Sequence, residues 1–388
     1  MNHPLMDNNI TKQDIKNLIE FLKTSNKFTF GEKVKEFEKA WSEWLGIKYS
    51  ILVNSGSSAN FVTMKALALN NEKVIVSPLG WPSDITSIID NGGIPEFIDI
   101  NPRTLALDTN KVIDYIETNG KPKVIVLTHI LGLCGLTSKL LTYIKKNNII
   151  LIEDVCESYG ATINRKKLGT FGDMSVFSFY YGHHMTTIEG GMISTNNKDL
   201  AEKCFMIRDH GMIRSLDESK KKHLQKQYKE LEPNFIFLTS GYNFRPTEIT
   251  GIVGLSQLQR LDGKIKIRQE NLTIWLDTLN PEIFKTDFHI GGNSSYALLL
   301  QLIKPNKNLW ARICNYLTKN NIEFRQGFSG GGNQLRQPYL KQFNNFDKDK
   351  FKNVEHVHKF GMYLGNYPSL KRNQIITLAN ELNNLCQK

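Results

Sequence analysis

Two adjacent histidines, His183 and His184, stand between an apolar and aromatic run, Phe177-Ser178-Phe179-Tyr180-Tyr181, and the triplet Glu189-Gly190-Gly191. The run reads as a buried strand, and the glycine pair lets the backbone turn sharply beyond it. Imidazole titrates near neutral pH, so a histidine held at a strand end is suited to moving protons. A solvated loop is the plainer reading of the pair. Asp154 closes the aliphatic strand Ile149-Ile150-Leu151-Ile152-Glu153, where a carboxylate is costly to bury without a cationic partner. Ser55-Gly56-Ser57-Ser58 comes just after the strand Ser50-Ile51-Leu52-Val53. Small residues opening a helix after a strand aim free N–H groups and the positive helix end at one spot, which makes an anion site. Helix capping by Ser57 or Ser58 explains that turn as well.

These residues need a scaffold that gathers strand ends. Apolar strands at Lys73–Ser77, Pro95–Asp99, Val124–Thr128 and Ile149–Asp154 alternate with helical segments, one starting near Asp84. That alternation implies an α/β fold with a mostly parallel sheet covered on both faces. Ligands in such sheets gather at the carboxyl ends of the strands, where Asp154, Trp81 and His129 all fall. Trp81 has two readings, ring stacking on a ligand or core packing, and His129 is open in the same way. Upstream, Thr11 is a plausible N-cap with Asp14 three residues on, and Lys33 to Trp44 reads as a second amphipathic helix. A long helix from about Thr247 to Leu261 leads to the strand-like Ser295–Leu302 and a helix over Asn308–Lys319. The expectation is a large domain over 1–262 and a smaller α+β domain over 263–388 that carries the glycine-rich loop Gly330-Gly331-Gly332.

The 388 residues carry 49 basic and 38 acidic side chains, a formal net charge of +11. Runs such as Ser219-Lys220-Lys221-Lys222 and Asp347-Lys348-Asp349-Lys350 read as solvated faces, although the same field would favour an anionic substrate. No nucleic-acid recognition motif appears. No apolar stretch is long enough to span a bilayer and no leader pattern opens the chain, so a cytoplasmic protein without a membrane partner is expected. The five cysteines, Cys134, Cys156, Cys204, Cys314 and Cys386, show no Cys-x-x-Cys or Cys-x-Cys pair. Neither a disulfide framework nor a bound metal is expected.

The order of these motifs resembles that of the sugar aminotransferases of the DegT/DnrJ/EryC1/StrS family, and the likeness covers nearly the whole chain. The family loop reads Ser-Phe, a few residues, Lys, a few residues, then Glu-Gly-Gly or Asp-Gly-Gly. Its lysine forms the Schiff base with pyridoxal phosphate (PLP). Counting back from Glu189-Gly190-Gly191, the lysine position is His183, a replacement that marks the family's dehydratase branch, the sugar 3-dehydratases leading to 3,6-dideoxyhexoses. The resemblance implies a fold-type-I PLP-dependent transferase architecture. It assigns the cofactor phosphate to Ser55, Gly56, Ser57, Ser58 and Ser178, the pyridine nitrogen to Asp154, stacking to Trp81 and a place near the ring to Glu157. Gly241-Tyr242-Asn243-Phe244-Arg245 resembles a segment that reaches into a neighbouring subunit, which implies a homodimer with shared active sites and Asn243 in the other subunit's phosphate site. His184, Arg245, Asn333 and Arg336 are the substrate-binding candidates.

What the resemblance implies chemically is loss of the C3 hydroxyl from a nucleotide-diphosphate sugar, an NDP-4-keto-6-deoxyhexose such as GDP-4-keto-6-deoxymannose. His183 would be the base, and L-glutamate would convert PLP to pyridoxamine phosphate (PMP). Family members with an iron–sulfur cluster carry a Cys-x-Cys element that this chain lacks, so no cluster is expected. The loop Gly332-Asn333…Arg336-Gln337-Pro338 resembles those cluster-bearing relatives, and the choice between a GDP and a CDP sugar stays open. A 4-aminotransferase and a non-catalytic PLP-binding protein are the other readings.

Overall fold

The computed structural model describes residues 3–343 and 350–386. Asp347, Lys348 and Asp349 of the second charged run lie outside them. The strands are β1 (Tyr49–Val53), β2 (Lys73–Val76), β3 (Ile94–Phe97), β4 (Val124–Thr128), β5 (Ile150–Asp154), the short pair β6 (Thr162–Ile163) and β7 (Lys166–Lys167), β8 (Met174–Ser178), β9 (Gly191–Thr195), β10 (Ala297–Gln301), β11 (Phe324–Gln326) and β12 (Gly361–Gly365).

Among the described residues, seven strands form one sheet in the order β1-β9-β8-β5-β4-β2-β3. β9 runs antiparallel to both of its neighbours, and the other pairs are parallel. The run Val124-Ile125-Val126-Leu127 shows why the sheet is covered twice. Val124 and Val126 join one buried cluster while Ile125 and Leu127 join another, because successive side chains leave a strand on opposite faces. Register then sets the functional edge. Val53, Gly191 and Ser178 are neighbours across β1, β9 and β8, and Thr128 lies beside Asp154.

The helices that carry the sheet are α1 (Lys12–Thr24), α2 (Glu32–Leu45), α3 (Gly56–Leu67), α4 (Pro82–Asp90), α5 (Thr109–Asn119), α6 (Ser138–Lys146), α7 (Lys198–Arg208) and α8 (Glu218–Gln227). At α1, Thr11 and Asp14 form a complete capping box. The helix read from about Thr247 to Leu261 is present and ends slightly earlier, and a separate helix follows it. α9 spans Glu248–Leu258, and α10 runs Leu261–Thr278. The chain leaves helical geometry at Arg260, whose guanidinium is turned back onto buried Asp14 and the Ser256 carbonyl.

Beyond α10, an antiparallel sheet ordered β10-β12-β11 packs with α11 (Lys307–Lys319), α12 (Lys352–Phe360) and α13 (Arg372–Leu385). The N-terminal residues run back across this part of the chain: His3 pairs with Ile322, and its Nε2 lies 2.9 Å from the Gly365 carbonyl. Among the described residues no helix is long and apolar enough to cross a membrane.

Candidate functional site

The turn after β1 opens α3. Ser55 is its N-cap, accepting the Ser58 N–H at 3.0 Å, so the capping residue is Ser55 and not Ser57 or Ser58. The Ser58 hydroxyl turns to Asn54 Oδ1 at 2.5 Å. The N–H groups of Gly56 and Ser57 lie in the first turn, where no intrahelical acceptor exists. Two strand ends press on this turn. A Cβ on Gly56 would stand 2.6 Å from Ser178 Cβ, and one on Gly191 would stand 2.2 Å from the Ser55 carbonyl oxygen. Gly191 is therefore a matter of clearance. Gly191→Ala should weaken PLP binding by roughly tenfold or more, about 1.4 kcal/mol, with the fold retained. Absorbance titration with PLP reads this, and unchanged affinity would remove the turn from the cofactor site.

Asp154 ends β5 and is 4% exposed. Cys156 N–H donates to its Oδ1 at 2.9 Å, and Asn60 Nδ2 of α3 donates to its Oδ2 at 3.0 Å. Among the described residues no lysine or arginine pairs with it, so a buried carboxylate waits beside a helix N-terminus. That donor set fits a molecule with an anionic group at one end and a cationic ring nitrogen at the other, as in PLP. Trp81 precedes α4 and is 57% exposed, which rules out core packing and leaves its indole open to a ligand. Glu157 accepts the Leu131 N–H and the Ser329 hydroxyl, both at 2.9 Å. Burial, opposed by those two bonds and helped by Asp154, pushes its carboxyl up to about 7.

His183 is nearly buried. Its carbonyl accepts from Asn9 Nδ2 at 2.9 Å, and its ring lies between those of Tyr296, 5.5 Å away, and Tyr180, 6.2 Å away. Nδ1 is buried with no hydrogen-bond partner among the described residues. Burial, with a smaller contribution from the Arg268 charge, pushes the imidazole down to about 3. The ordinary value near neutrality, which made the residue attractive as a base in sequence, gives way to a ring that stays neutral over a wide pH range.

His184 does not join the cleft. It is fully buried, and its Nε2 lies 3.0 Å from the Ser294 carbonyl, too deep to touch a sugar. Asn333 is likewise fully buried, donating to Glu355 at 2.6 Å, and Arg336 is ion-paired with the same carboxylate. Both side chains hold the glycine-rich loop together. The loop itself lies against the site, with Gly330 on the Gly80 carbonyl, Gln334 N–H on the Pro78 carbonyl and Ser329 on Glu157. Arg245 is ion-paired with Asp209, whereas Asn243 is exposed. The Asn243 segment runs beside the Ser55 turn of its own chain, where Phe244 O accepts the Asn54 N–H at 3.1 Å. His129 is a core residue, its Nδ1 accepting the Gly135 N–H. Asn60, Asp84, Arg268 and Tyr296 also shape the site and carried no signal in sequence, since a lone polar residue in a helix or at a strand start reads as ordinary surface.

The model of the DegT/DnrJ/EryC1/StrS aminotransferase family matches residues 8–383. GDP-4-keto-6-deoxy-D-mannose 3-dehydratase of Yersinia pseudotuberculosis is 32% identical over 392 residues, spanning 98% of each chain. A crystal structure of a histidine-to-asparagine mutant of GDP-4-keto-6-deoxymannose-3-dehydratase with bound GDP-perosamine superposes with a TM-score of 0.89 at 30% identity, covering 98% of this chain and 100% of that one. The same enzyme with a trapped PLP-glutamate geminal diamine gives 0.89 at 29% identity, with the same coverage.

Proposed function

The chain belongs to the DegT/DnrJ/EryC1/StrS aminotransferase family, and on that premise we propose that it is a PLP-dependent lyase acting on a nucleotide sugar. It removes the C3 hydroxyl of GDP-4-keto-6-deoxymannose, with glutamate as the amino donor, in 3,6-dideoxyhexose biosynthesis. Bound PLP, in its aminated form, supplies the amine that engages the sugar ketone and the electron sink that lets the neighbouring hydroxyl leave. The reading rests on His183, a buried imidazole at the position that counting back from Glu189-Gly190-Gly191 gives for the family's lysine. The nearest upstream lysines cannot substitute. Lys167 donates to the Trp44 carbonyl and Lys166 lies over the Phe171 ring.

The remaining residues take their roles from their positions. The N–H groups of Gly56 and Ser57, with the Ser178 hydroxyl, hold phosphate. Asp154 holds the ring nitrogen, and Trp81 covers the ring. An imidazole nitrogen of His183, whose ring lies between those of Tyr180 and Tyr296, moves the proton that elimination requires. The oxygen lost from the sugar balances oxidation of glutamate to 2-oxoglutarate and ammonia. A homodimer is part of the proposal, supported by Asn243 and by exposed Phe235, Phe237 and Tyr242, each more than half accessible.

Mass spectrometry tests this. The protein is incubated with PLP, glutamate and either the GDP- or the CDP-linked 4-keto-6-deoxyhexose, with no reductase. A GDP sugar lacking one oxygen is expected. Turnover of the CDP sugar alone would move the substrate assignment, and an accumulating 4-amino sugar would make the chain an aminotransferase.

A further inference from the structure

The first turn of α4 buries a second carboxyl group beside Asp154. Asp84 is 2% exposed, accepts the Thr128 hydroxyl at 2.7 Å and accepts Asn60 Nδ2 at 3.1 Å. That same nitrogen donates to Asp154 at 3.0 Å. Two buried carboxyl groups thus meet at one amide. Neither pairs with a lysine or arginine among the described residues. The other titratable groups around them are Cys156 and Glu157 in the turn after β5, and Tyr339 in the segment after the glycine-rich loop. None of these brings positive charge. Burial above all, with the adjoining carboxylates, pushes the Cys156 thiol well above its ordinary value.

Two carboxylates in hydrogen-bonding contact away from water cannot both stay ionised, and a shared proton is the usual resolution. Burial, then the charge of Asp154 and the hydrogen bond between the two, hold Asp84 well above the usual carboxylate range. The shared proton is therefore assigned to Asp84. Asp154, with Cys156 N–H and Asn60 Nδ2 already donating to it, receives a further donor from Asp84.

We propose that Asp84 is a positioning residue for the reaction, a neutral carboxylic acid that donates its hydrogen to Asp154 and sets how much negative charge Asp154 presents to the ring nitrogen of bound PLP. The inference rests on the cofactor role given to Asp154 above. A pyridinium group then meets a pair carrying one negative charge in place of two, in an orientation fixed by Asn60 and Thr128.

The test compares the full-length holoenzyme with Asp84→Asn and Asp84→Leu. Asparagine keeps shape and a donor toward Asp154, whereas leucine keeps bulk and loses the donor. Infrared difference spectroscopy at pH 7 should show, apart from any band of Glu157, the carbonyl stretch of a protonated carboxyl group present in the parent and lost in Asp84→Asn. PLP affinity should stay within about threefold in Asp84→Asn and fall by about tenfold or more in Asp84→Leu. Absence of the protonated band, or an Asp84→Asn variant as weak as Asp84→Leu, overturns the proposal with the cofactor reading intact. If Asp84→Leu does not fold, the band and the Asp84→Asn affinity decide the matter. A parent that binds no PLP at all overturns the cofactor reading and this proposal with it.

Discussion

Replacing His183 by asparagine should lower the rate of dehydration by roughly 10²–10⁴-fold, the usual contribution of a positioned acid–base group. PLP affinity should change by no more than about threefold, because the phosphate turn and Asp154 lie on other elements. Single-turnover assays with glutamate and the GDP sugar separate the two effects. His183→Lys should also abolish dehydration and should add a covalent link to the cofactor, visible as a shifted absorbance band. Burial sets the pH profile. A base must be unprotonated to act, and the imidazole is pushed down to about 3 chiefly by burial. Loss of the base on acidification therefore belongs well below the ordinary imidazole range near 6.5. An acid limb at that ordinary value that vanishes in His183→Asn would keep His183 as the base and overturn its lowered titration, whereas an asparagine variant retaining more than about a tenth of parental turnover would remove His183 from the role of base.

Arg208→Ala should destabilise the protein by about 3–5 kcal/mol, the cost of stranding one partner of a buried ion pair. Arg208 is 1% exposed, and its Nη1 donates to Glu38 at 2.6 Å and to the Leu52 carbonyl at 2.8 Å. The Phe30 and Phe205 rings flank the guanidinium at 4.5 and 5.2 Å. Alanine would leave the Glu38 carboxylate facing the Leu52 N–H alone. Total stability for a domain is about 5–15 kcal/mol, so a large drop in urea midpoint is expected. Pairing Arg208→Met with Glu38→Gln should recover much of the loss. A midpoint change worth less than about 1 kcal/mol in the single variant would show that Glu38 is solvated in its absence. The site should feel the change as well, because the Arg208 carbonyl accepts the Phe244 N–H and so carries the Asn243 segment.

The legible part of the site lies on short strands. β4 and β5 announce themselves as aliphatic runs because both of their faces are covered, and the residues just past their ends must stand at the sheet edge. The Ser55 turn was legible for the same reason. His184 misled because it shares a sequence neighbourhood with His183, while the turn closed by His183 N–H on the Tyr180 carbonyl leads the next residue into the interior. The partner of Asn333 and Arg336, Glu355, could not be read from sequence because it comes from α12 and nothing local announces it. Asp84 was invisible for a related reason. An acidic residue in the first turn of a helix normally faces water and complements the helix dipole, and only the arrival of Thr128 and Asn60 from other elements makes it a buried acid.

The return of the N-terminal residues across the chain has a consequence for biosynthesis. His3 is tied to Asn321 and Gly365, Asn9 to the His183 carbonyl and to Gln257, and Asp14 to Arg260. These residues therefore find their partners only after residues some 170 to 360 positions later have been made, tens of seconds at ordinary translation speeds. A nascent chain should gain the ability to retain PLP only after the segment around Gly365 has cleared the exit tunnel, and folding should be slow because these contacts are so distant in sequence.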